Sequence, residues 1–460
     1  MKKTICIFIS ILTLTAGSAK AIEELSEIEV VGTSLLPGLE IEEEKLPYEV
    51  QSFGSESLGN ETSLGITDVL NQSVPGVFTN EVQGSPYQGD VTFRGFRASS
   101  ILGAAQGLSV YIDGVRINEP FGDVVNWDMI PEFAIDNVSL IPGSNPMYGL
   151  NTLGGALSLT TKTGMSHPGK TARISFGSFN RKKIDISIGG EFTEGDGGNY
   201  FLSVSHFDES GWRDYSDGKI SNIFGKATKN TDFGSIGMMA YFGDSNLLGN
   251  GLLPSTNYGV EDDVGQIQER GLYEGRRAAV YSHPDQTKNE VGLLNLSFQN
   301  ILDDYTQING LVYSRYGRQK RLGGDVEAEF EADENEWEFE GEFNNSKTRQ
   351  NGSGLGLNLS KILNNHQITA GFTFDQSTVT YHATETEDCE VNAIRKVICD
   401  DDSEKEDSAK VSGNSKTYSL FASDTAEVAD GIFVTGSVRY NHTKVSNTLS
   451  TPNEVSEELE

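Results

Sequence analysis

Two cysteines and one histidine near the end of the sequence could do chemistry. Cys389 and Cys399 are separated by nine residues, and His382 precedes them. Outside the cytoplasm such a pair persists as a disulfide. Metal binding is the alternative, but two cysteines and one distant histidine do not form a zinc pattern. The sequence therefore predicts a disulfide between Cys389 and Cys399 and no metal site.

Three alternating glycines, Gly352, Gly354 and Gly356, resemble part of a nucleotide-binding motif. They lie in a predicted strand and lack the helix that must follow such a motif. The chain offers no Ser/His/Asp or Cys/His set with support from spacing. We therefore predict that this protein is not an enzyme and needs no cofactor.

Acidic side chains give the chain a net charge of −32 and concentrate in residues 325–342 and 400–406. A chain with this charge would repel nucleic acid, whose binding proteins are basic. We expect the two acidic runs to be solvated loop surface. Binding of divalent cations, which prefer carboxylate ligands, is the alternative.

The N-terminus has the pattern of a secretory signal peptide. Lys2 and Lys3 precede an apolar stretch at residues 5–14, which is too short to span a membrane as a helix. Cleavage is predicted after Ala21, with Ala19 as the alternative site and an uncleaved anchor as the other interpretation. Residues 1–21 are therefore assigned to the signal peptide, and the protein is predicted to leave the cytoplasm.

Two segments that differ in composition follow the predicted signal peptide. Residues 22–46 are acidic around the short apolar patch Ile28, Glu29, Val30, Val31 and Gly32, and we expect a mobile arm. Residues 47–165 alternate short strands with Gly-rich turns and include one predicted helix at 65–72. This pattern predicts a compact α+β domain.

Residues 166–460 repeat apolar and polar side chains with a period of two, which is typical of strands. About eleven strands are predicted, near 171–178, 182–190, 200–208, 219–228, 234–243, 290–299, 305–317, 351–361, 366–378, 415–427 and 431–443. Long polar connections (244–289, 318–350, 379–414) alternate with short turns. This asymmetry favours an antiparallel transmembrane β-barrel over a soluble antiparallel sheet.

Four motifs between residues 89 and 163 resemble the plug domain of the TonB-dependent outer-membrane receptors. They are residues 93–96 (Phe-Arg-Gly-Phe), 110–115 (Val-Tyr-Ile-Asp-Gly-Val), 148–155 (Tyr-Gly-Leu-Asn-Thr-Leu-Gly-Gly) and the strand at 156–162. Each motif alone is weak, because Asp-Gly turns and Gly-Gly pairs are common. Together they predict structural roles for Arg94, Gly95, Asp113, Gly114, Tyr148, Gly149, Gly154 and Gly155.

The resemblance also implies binding sites. Residues 28–32 correspond to the TonB box, an extended strand that adds to a sheet edge of TonB, the periplasmic protein energised by an inner-membrane complex. Substrate contacts are expected from the apical loops of the plug: Tyr87, Gln88, Asn118, Glu119, Phe121 and Trp127. For Phe121 and Trp127, packing of the plug against the barrel is the alternative.

Two features depart from the family pattern. Residues 141–144 (Ile-Pro-Gly-Ser) lack the arginine that helps lock plug to barrel, which leaves Arg94 as a candidate partner of barrel glutamates. Family barrels also have 22 strands, about twice the number predicted here. An open sheet would expose unpaired backbone groups to lipid, so the sequence is expected to be a fragment of a longer receptor or a truncated product.

The resemblance implies a multi-pass barrel in the bacterial outer membrane, in contact with lipid, that imports a scarce nutrient. A ferric siderophore is the leading substrate, with haem, cobalamin and oligosaccharide as alternatives. A non-functional truncated receptor remains open. A porin-like channel is disfavoured by the plug and the TonB box, and an adhesin by the absence of sequence repeats. The short arm before the TonB box indicates no additional signalling domain.

Overall fold

The computed structural model describes most of the chain. The described residues are 30–31, 41–42, 47–58, 65–81, 85–195, 197–249, 259–261, 267–269, 278, 280–331, 336–392, 396–400, 403–451 and 454–459. The predicted signal peptide lies outside them, as do Ile28, Glu29 and Gly32. No helix in these ranges is long and apolar enough to cross a membrane.

The N-terminal third forms short strands and helices. Its strands are β1 (Val30–Val31), β2 (Ile41–Glu42), β3 (Gln51–Gly54), β4 (Val77–Asn80), β5 (Asp90–Phe93), β6 (Phe96–Ser99), β7 (Leu108–Ile112), β8 (Val115–Arg116), β9 (Ile135–Pro142) and β10 (Gly155–Thr161). Its helices are α1 (Ser55–Leu58) and α2 (Ile66–Ser73), with 3-10 turns at Trp127–Met129, Glu132–Ala134 and Pro146–Tyr148. Helix α2 matches the predicted helix because Ile66, Val69 and Leu70 form one buried face.

Two small sheets build this domain. Strands β3-β9-β10-β7-β8 form the larger sheet, in which β10 runs parallel to β7, and β4-β5-β6 form the smaller one. The β7 residues are all buried, and Leu108, Val110 and Ile112 join Leu157 and Leu159 of β10 in the core. Mixed pairing and a helix confirm the predicted α+β class.

The remaining residues form one large antiparallel sheet. Its eleven long strands are β11 (Gly169–Phe176), β12 (Lys182–Glu191), β13 (Gly198–Glu209), β14 (Gly218–Thr231), β15 (Gly234–Leu248), β18 (Asp285–Asp303), β19 (Thr306–Glu331), β20 (Glu336–Leu363), β21 (His366–Val391), β23 (Lys405–Ala429) and β24 (Ile432–Thr451). The short strands β22 (Val397–Ile398) and β25 (Glu454–Leu459) also pair within this sheet, whereas β16 (Gly259–Glu261) and β17 (Ile267–Glu269) form a separate two-stranded sheet. Each of the eleven predicted strands corresponds to one long strand.

The strand ends differ from the prediction. The regions 318–350 and 379–414 were predicted as long loops, and this is wrong: β19 continues to Glu331, β20 begins at Glu336 and β21 reaches Val391. Backbone pairing continues past the apolar positions because it needs no apolar side chain. The acidic run 325–342 therefore lies mainly on two paired strands.

The sheet wraps the N-terminal domain. Its strands contact that domain from β12, through Lys183 and Glu132, to β24, which touches the turn Pro146–Tyr148. The face toward the domain is largely polar, with Asn289, Asn295 and Asn309 buried, although Leu293 and Leu311 join the core of that domain. The outward face is apolar, with exposed residues such as Leu294, Leu296, Phe298, Val312 and Tyr316. A soluble sheet would place these two faces the other way round.

The two ends of this sheet also differ. Connections 210–217, 249–284 and 392–404 lie at one end, which we call the long-loop end. Connections of two residues, 232–233, 304–305, 364–365 and 430–431, lie at the other, the short-turn end. This asymmetry is the one expected from the sequence.

Candidate functional site

The apex of the N-terminal domain faces the long-loop end and brings together several predicted residues. Tyr87 packs against Phe207 at 4.7 Å between ring centroids. Its hydroxyl accepts a hydrogen bond of 2.5 Å from Arg181, which also pairs with Glu209 at 3.0 Å. Residues 181 and 209 border connections of the long-loop end, so Tyr87 lies at the upper rim of the domain.

Phe121 joins the apex to the surrounding sheet. Its ring lies 5.2 Å from that of Tyr381 on β21, and its backbone N–H donates to Gln350 Oε1 on β20 at 2.9 Å. The side chain is half-buried. Phe121 therefore packs against the sheet and keeps an accessible face, so the two interpretations offered by the sequence are both compatible with its position.

Trp127 is buried and lines a cavity of about 100 Å³ with Tyr87 and Arg181. The side chain is 3% exposed and belongs to the main core, and its indole N–H donates to Ala98 O at 3.0 Å. This position favours the packing alternative, and the substrate contact through Trp127 stays a prediction. A large aromatic in a Gly-rich loop can fill a core whose other walls come from distant strands.

Gln88 and Asn118 are buried and support the loops. Asn118 is fully buried: its side chain accepts from Val110 N at 2.8 Å and donates to Leu108 O at 3.1 Å. Gln88 is 2% exposed, and its backbone carbonyl accepts from Ser100 Oγ at 3.2 Å. Asn118 therefore holds backbone geometry, whereas the Nε2 of the buried Gln88 has no hydrogen-bond partner among the described residues.

Glu119 is a buried carboxyl beside a sheet arginine. It is 8% exposed, and Asn126 Nδ2 donates to its Oε1 at 3.3 Å. Burial raises the pKa of Glu119, while Arg315 and the Asn126 hydrogen bond act in the opposite direction. Arg315 itself donates to the carbonyls of Arg116 at 3.0 Å and Asn118 at 2.7 Å.

The alternating glycines of β20 make room for this arrangement. A Cβ on Gly352 would lie 3.0 Å from Arg315 Nε, and one on Gly354 would lie 2.6 Å from the Tyr313 ring. Larger residues would push both side chains away from the apex. The glycine pattern that does not fit a nucleotide motif therefore has a structural role in the lumen of the sheet.

Two cavities lie beside Phe121. The first, of about 350 Å³, separates the N-terminal domain from strands β19–β24 and includes Phe121, Arg315, Tyr313 and Asp375 in its wall. The second, of about 360 Å³, lies at the long-loop end and includes Arg321, Asn344 and Tyr381. Both volumes are in the range of small-molecule sites. Aromatic rings and guanidinium groups at such a cavity suit an anionic, oxygen-rich ligand.

Asp113 anchors the domain to the sheet. It occupies the turn between β7 and β8 with a φ of 44°, and its carboxylate accepts from Thr161 N at 3.0 Å and Thr161 Oγ1 at 2.5 Å. Lys226 of β14 pairs with the same carboxylate at 2.9 Å. Asn295 of β18 also donates to the Asp113 carbonyl at 3.2 Å. The Asp-Gly motif therefore places a carboxylate between two strands of the domain and the sheet.

Arg94 does not supply such an anchor. With Gly95 it forms the turn between β5 and β6, at φ values of 50° and 86°, and its side chain is exposed. The guanidinium lies 4.9 Å from the ring centroid of Phe93, and within the described residues it forms no ion pair. The expected pairing with sheet glutamates is therefore not found among the described residues.

The other motif residues are packed at the junction of β7, β9 and β10. Tyr148 is 2% exposed, and its carbonyl accepts a hydrogen bond from the Tyr111 hydroxyl. Gly149 adopts a φ of 88°, and Gly154 N donates to Gly107 O at 2.9 Å. A Cβ on Gly155 would lie 2.4 Å from Ile141 O. The packing of these four residues is compatible with the structural roles that their motifs predict.

Asp128, which the sequence does not single out, also lies between domain and sheet. It is 4% exposed, and its Oδ2 accepts from Ser245 Oγ at 2.5 Å and Asn289 Nδ2 at 2.9 Å. Burial raises the pKa of Asp128, opposed by these two hydrogen bonds. Nothing local in the sequence marks its partners, which come from strands more than 100 residues away.

Val30 and Val31 of the predicted TonB box form a two-residue antiparallel pair with Glu42 and Ile41. The described part of the box is therefore extended. Near the other end of the chain, Cys389 and Cys399 form a disulfide, and His382 contacts Asp407 at 2.6 Å instead of the sulfur atoms. No group of three metal-binding side chains occurs in the described ranges.

Comparison with known proteins gives this geometry a family. Residues 42–156 match the TonB-dependent receptor plug domain family. The ferric aerobactin receptor of Klebsiella pneumoniae is 29% identical over 155 residues, an alignment that covers 32% of this chain and 19% of that receptor.

The whole fold also matches solved structures. The closed form of the ferric-catecholate import receptor Fiu from E. coli K12 has a TM-score of 0.70 at 16% identity, covering 90% of this chain and 60% of Fiu. The ferric yersiniabactin uptake receptor FyuA from Yersinia pestis has a TM-score of 0.63 at 13% identity, covering 89% and 59%. The chain therefore spans about three fifths of the length of these structures.

Proposed function

We propose that this chain, which has the plug domain and the barrel fold of the TonB-dependent receptors, takes part in energised uptake of a ferric siderophore across the bacterial outer membrane. The N-terminal domain is the plug, and the antiparallel sheet is the wall that encloses it. The outward apolar face suits lipid, and the long-loop end suits the outside of the cell.

The observation that carries this proposal is the apex of the plug. Phe121 and Tyr381 bring a ring from the plug and a ring from the wall to 5.2 Å at the end open to the long loops. Arg321 lines the cavity beside them and donates to Ser100 O of the plug at 2.6 Å. A ligand bound there would contact plug and wall together, which is the arrangement needed to signal occupancy to the plug.

Ferric siderophores suit this site for chemical reasons. They present hard oxygen donors around iron, often with aromatic groups and net negative charge, and arginine and aromatic side chains recognise such surfaces. The relatives support the same class, since they are receptors for ferric aerobactin, ferric catecholates and ferric yersiniabactin. Haem, cobalamin and oligosaccharide are the alternatives that a binding experiment must include.

Coupling would use the N-terminal arm. We propose that Val30 and Val31 leave their two-residue pairing with Ile41 and Glu42 and add to a sheet edge of TonB. Because so short a pairing contributes few backbone hydrogen bonds, exchanging it for a longer partner strand is favourable. Force on the arm then reaches the plug through residue 47 and β3.

The test is a binding panel on the purified protein in neutral detergent. Hydroxamate, catecholate and citrate-based ferric siderophores are compared with haem, cobalamin and a maltooligosaccharide. The proposal expects at least one ferric siderophore to bind more tightly than every iron-free ligand, and the matching iron-free siderophore to bind more weakly. Tight binding of oligosaccharide or cobalamin alone would contradict the ferric assignment.

A further inference from the structure

One wall of the apical cavity of about 360 Å³ carries a carboxyl group as well as an arginine. Asp285, the first residue of β18, lines this cavity together with Arg321 of β19 and Tyr381 of β21. Arginine and aromatic side chains suit the oxygen-rich head of a ferric siderophore. A carboxylate would repel an anionic head, so the presence of Asp285 in the same wall requires another explanation.

The strand register fixes the positions of these two charged groups. Arg321 is paired with Thr287, and Asp285 is paired with Gly323. Asp285 therefore lies on the adjacent strand and two residues closer to the long-loop end than Arg321. From the usual spacing of strands and residues, their Cα atoms are about 8 Å apart. The cavity thus has a carboxyl group near the long loops and a guanidinium group near the plug.

Both side chains face the inside of the sheet. Alternate residues of a strand share a face, and Asn289, which shares the face of Asp285, bonds to Asp128 of the plug at 2.9 Å. Arg321 donates to Ser100 O of the plug at 2.6 Å. A ligand that rests on the apex of the plug and extends toward the long loops would therefore contact the arginine at one end and the carboxyl group at the other.

Further carboxyl groups lie beside Asp285. Asp325 of β19 acts on Asp285 electrostatically, and Glu342 of β20 is paired with Asp325. Burial and Asp325 raise the pKa of Asp285 to about 7, while the Gly324 N–H and Arg213 act in the opposite direction. We call Asp285 and Asp325 the carboxyl pole of the cavity. A cation bound there would offset the repulsion between its two members.

The carboxyl pole lies outside the part of the sheet that would face lipid. Leu294, the first large apolar side chain exposed on β18, is about 30 Å along the strand from Asp285. The pole is therefore at the level of the long loops, where a ligand would arrive. A primary ammonium group is a compact cation with three donors, so it can bond to two carboxylates at once.

We propose that Asp285 is a specificity-determining residue of the apical cavity and selects ferric siderophores that carry a protonated amine. The proposal rests on the proposed function and specifies its substrate class. The oxygen-rich ferric head would lie against Arg321 and Tyr381, and the ammonium group would donate charge-assisted hydrogen bonds to Asp285. A siderophore without an amine would leave the repulsion between Asp285 and Asp325 in place.

The test compares two ferric trihydroxamates that differ at one nitrogen. Ferrioxamine B has a terminal ammonium group, and its N-acetyl derivative has an uncharged amide at the same place. At pH 8.5, in neutral detergent, the purified protein is expected to bind the amine form at least about tenfold more tightly, because a hydrogen bond between charged groups is lost on acetylation. Equal affinity for the two forms would overturn the proposal and leave ferric uptake standing.

Two other outcomes of this comparison are also decisive. If neither form binds while a ferric siderophore without an amine does, the proposal is overturned and the proposed function stands. If no ferric siderophore in the panel binds, the proposed function fails, and the specificity of Asp285 fails with it.

The variant Asp285→Asn keeps the shape of the side chain and removes its charge. We expect it to bind the amine form about tenfold more weakly than the unaltered protein and the acetyl form equally well. Asp208→Asn is the matched control, because Asp208 is a carboxyl group of β13 that pairs with Lys219 at 3.1 Å outside the cavity. This control is expected to keep the preference for the amine form. A preference that survives in Asp285→Asn would overturn the proposal.

A pH titration of the unaltered protein keeps the test valid if Asp285→Asn does not fold. With a pKa of about 7, Asp285 is ionised at pH 8.5 and protonated at pH 5.5, whereas the ligand amine stays charged. The preference for the amine form is therefore expected to fall at least about fivefold between these two pH values. A preference that is the same at both would overturn the proposal. Other charged or titratable groups at this end include Arg213, His283, Arg321, Asp325, Glu342, Tyr381 and Glu385. The pH dependence that remains in Asp285→Asn measures their contribution.

Discussion

At the apex of the plug, one aromatic residue connects the two parts of the molecule. Phe121 comes from a loop of the plug and Tyr381 from β21, yet their rings lie 5.2 Å apart beside a cavity of about 360 Å³ that Tyr381 lines. A bound siderophore would contact both rings. The ligand affinity should therefore depend on Phe121 while the fold should not.

Replacing Phe121 with alanine is predicted to weaken ferric siderophore binding about tenfold, or ~1.4 kcal/mol. The substitution removes one ring from the site and leaves the backbone bond to Gln350 in place. Binding is measured on purified protein, with abundance in the outer membrane as the check on folding. Phe78→Ala, at a plug side chain that is 67% exposed, is the matched control. Unchanged affinity in Phe121→Ala would remove this residue from the site.

The Asp113–Lys226 pair should stabilise the plug within the wall. The two side chains are 12% and 16% exposed, and the carboxylate also holds Thr161. Replacing Lys226 with methionine leaves a buried carboxylate without its cation, at a cost of about 3 kcal/mol. Faster hydrogen exchange of the Thr161 amide is the expected result.

The exposed pair Lys219–Asp208 provides the control for this prediction. Its side chains are 59% and 32% exposed, so Lys219→Met should cost less than about 1 kcal/mol. Equal exchange at Thr161 in Lys226→Met and Lys219→Met would contradict the anchoring role of Asp113.

The buried carboxyl of Asp128 predicts that the stability of the plug depends on pH. Its pKa is raised by burial, so its folded value exceeds its unfolded value. A carboxyl of this kind opposes folding when ionised: the plug is most stable below the unfolded pKa, and this stability is lost as pH rises through the folded pKa. Asp128→Asn, which cannot ionise, should lose less stability over the same pH range. Parallel stability curves for the two proteins would contradict this account.

Contacts between residues that are distant in the sequence could not be predicted from it. Asp113 was identified from its Asp-Gly motif, but its partner Lys226 was not, because the two residues are 113 positions apart. Arg315 and Tyr381 were missed for the same reason: they are single residues on regular strands, and only the register brings them to the apex. Trp127 was predicted to contact substrate because it is an aromatic residue in a loop, and its position among core residues favours packing instead.

At the scale of elements, the alternating pattern was sufficient to predict every long strand. The apolar outward face repeats at every second residue, so strands such as β14 and β21 are visible in the sequence. Strand length was not predictable, because β19, β20 and β21 continue into regions with polar side chains on both faces. There the hydrogen-bonded ladder persists without the apolar signal that prediction relies on.

The N-terminal arm carries an element-scale prediction. Val30→Pro removes a backbone donor and fixes φ, so it should prevent strand addition to TonB. We expect ferric siderophore uptake to be lost while ligand binding is retained. Val30→Ile, which keeps the donor and the β-branched shape, should transport normally. Uptake by Val30→Pro at the normal rate would show that this strand is not the TonB box.

At the scale of the whole molecule, three surfaces differ in chemical character and in what they contact. The inward face of the sheet is largely polar and holds the plug through groups such as Lys226, Ser245 and Arg315. The outward face is apolar. The long-loop end carries the apical cavities. This division follows from side-chain alternation, which lets one strand present a plug contact and an outward apolar side chain at neighbouring residues.

The most direct test of the central claim is accumulation of iron by cells that depend on this protein. Cells are supplied with the ⁵⁵Fe-loaded siderophore that binds most tightly in the panel, with and without an uncoupler of the inner-membrane proton gradient. The account predicts binding in both conditions and accumulation only in energised cells. Accumulation that continues at the same rate after uncoupling would contradict energised uptake, and so would the absence of accumulation in energised cells that bind the ligand.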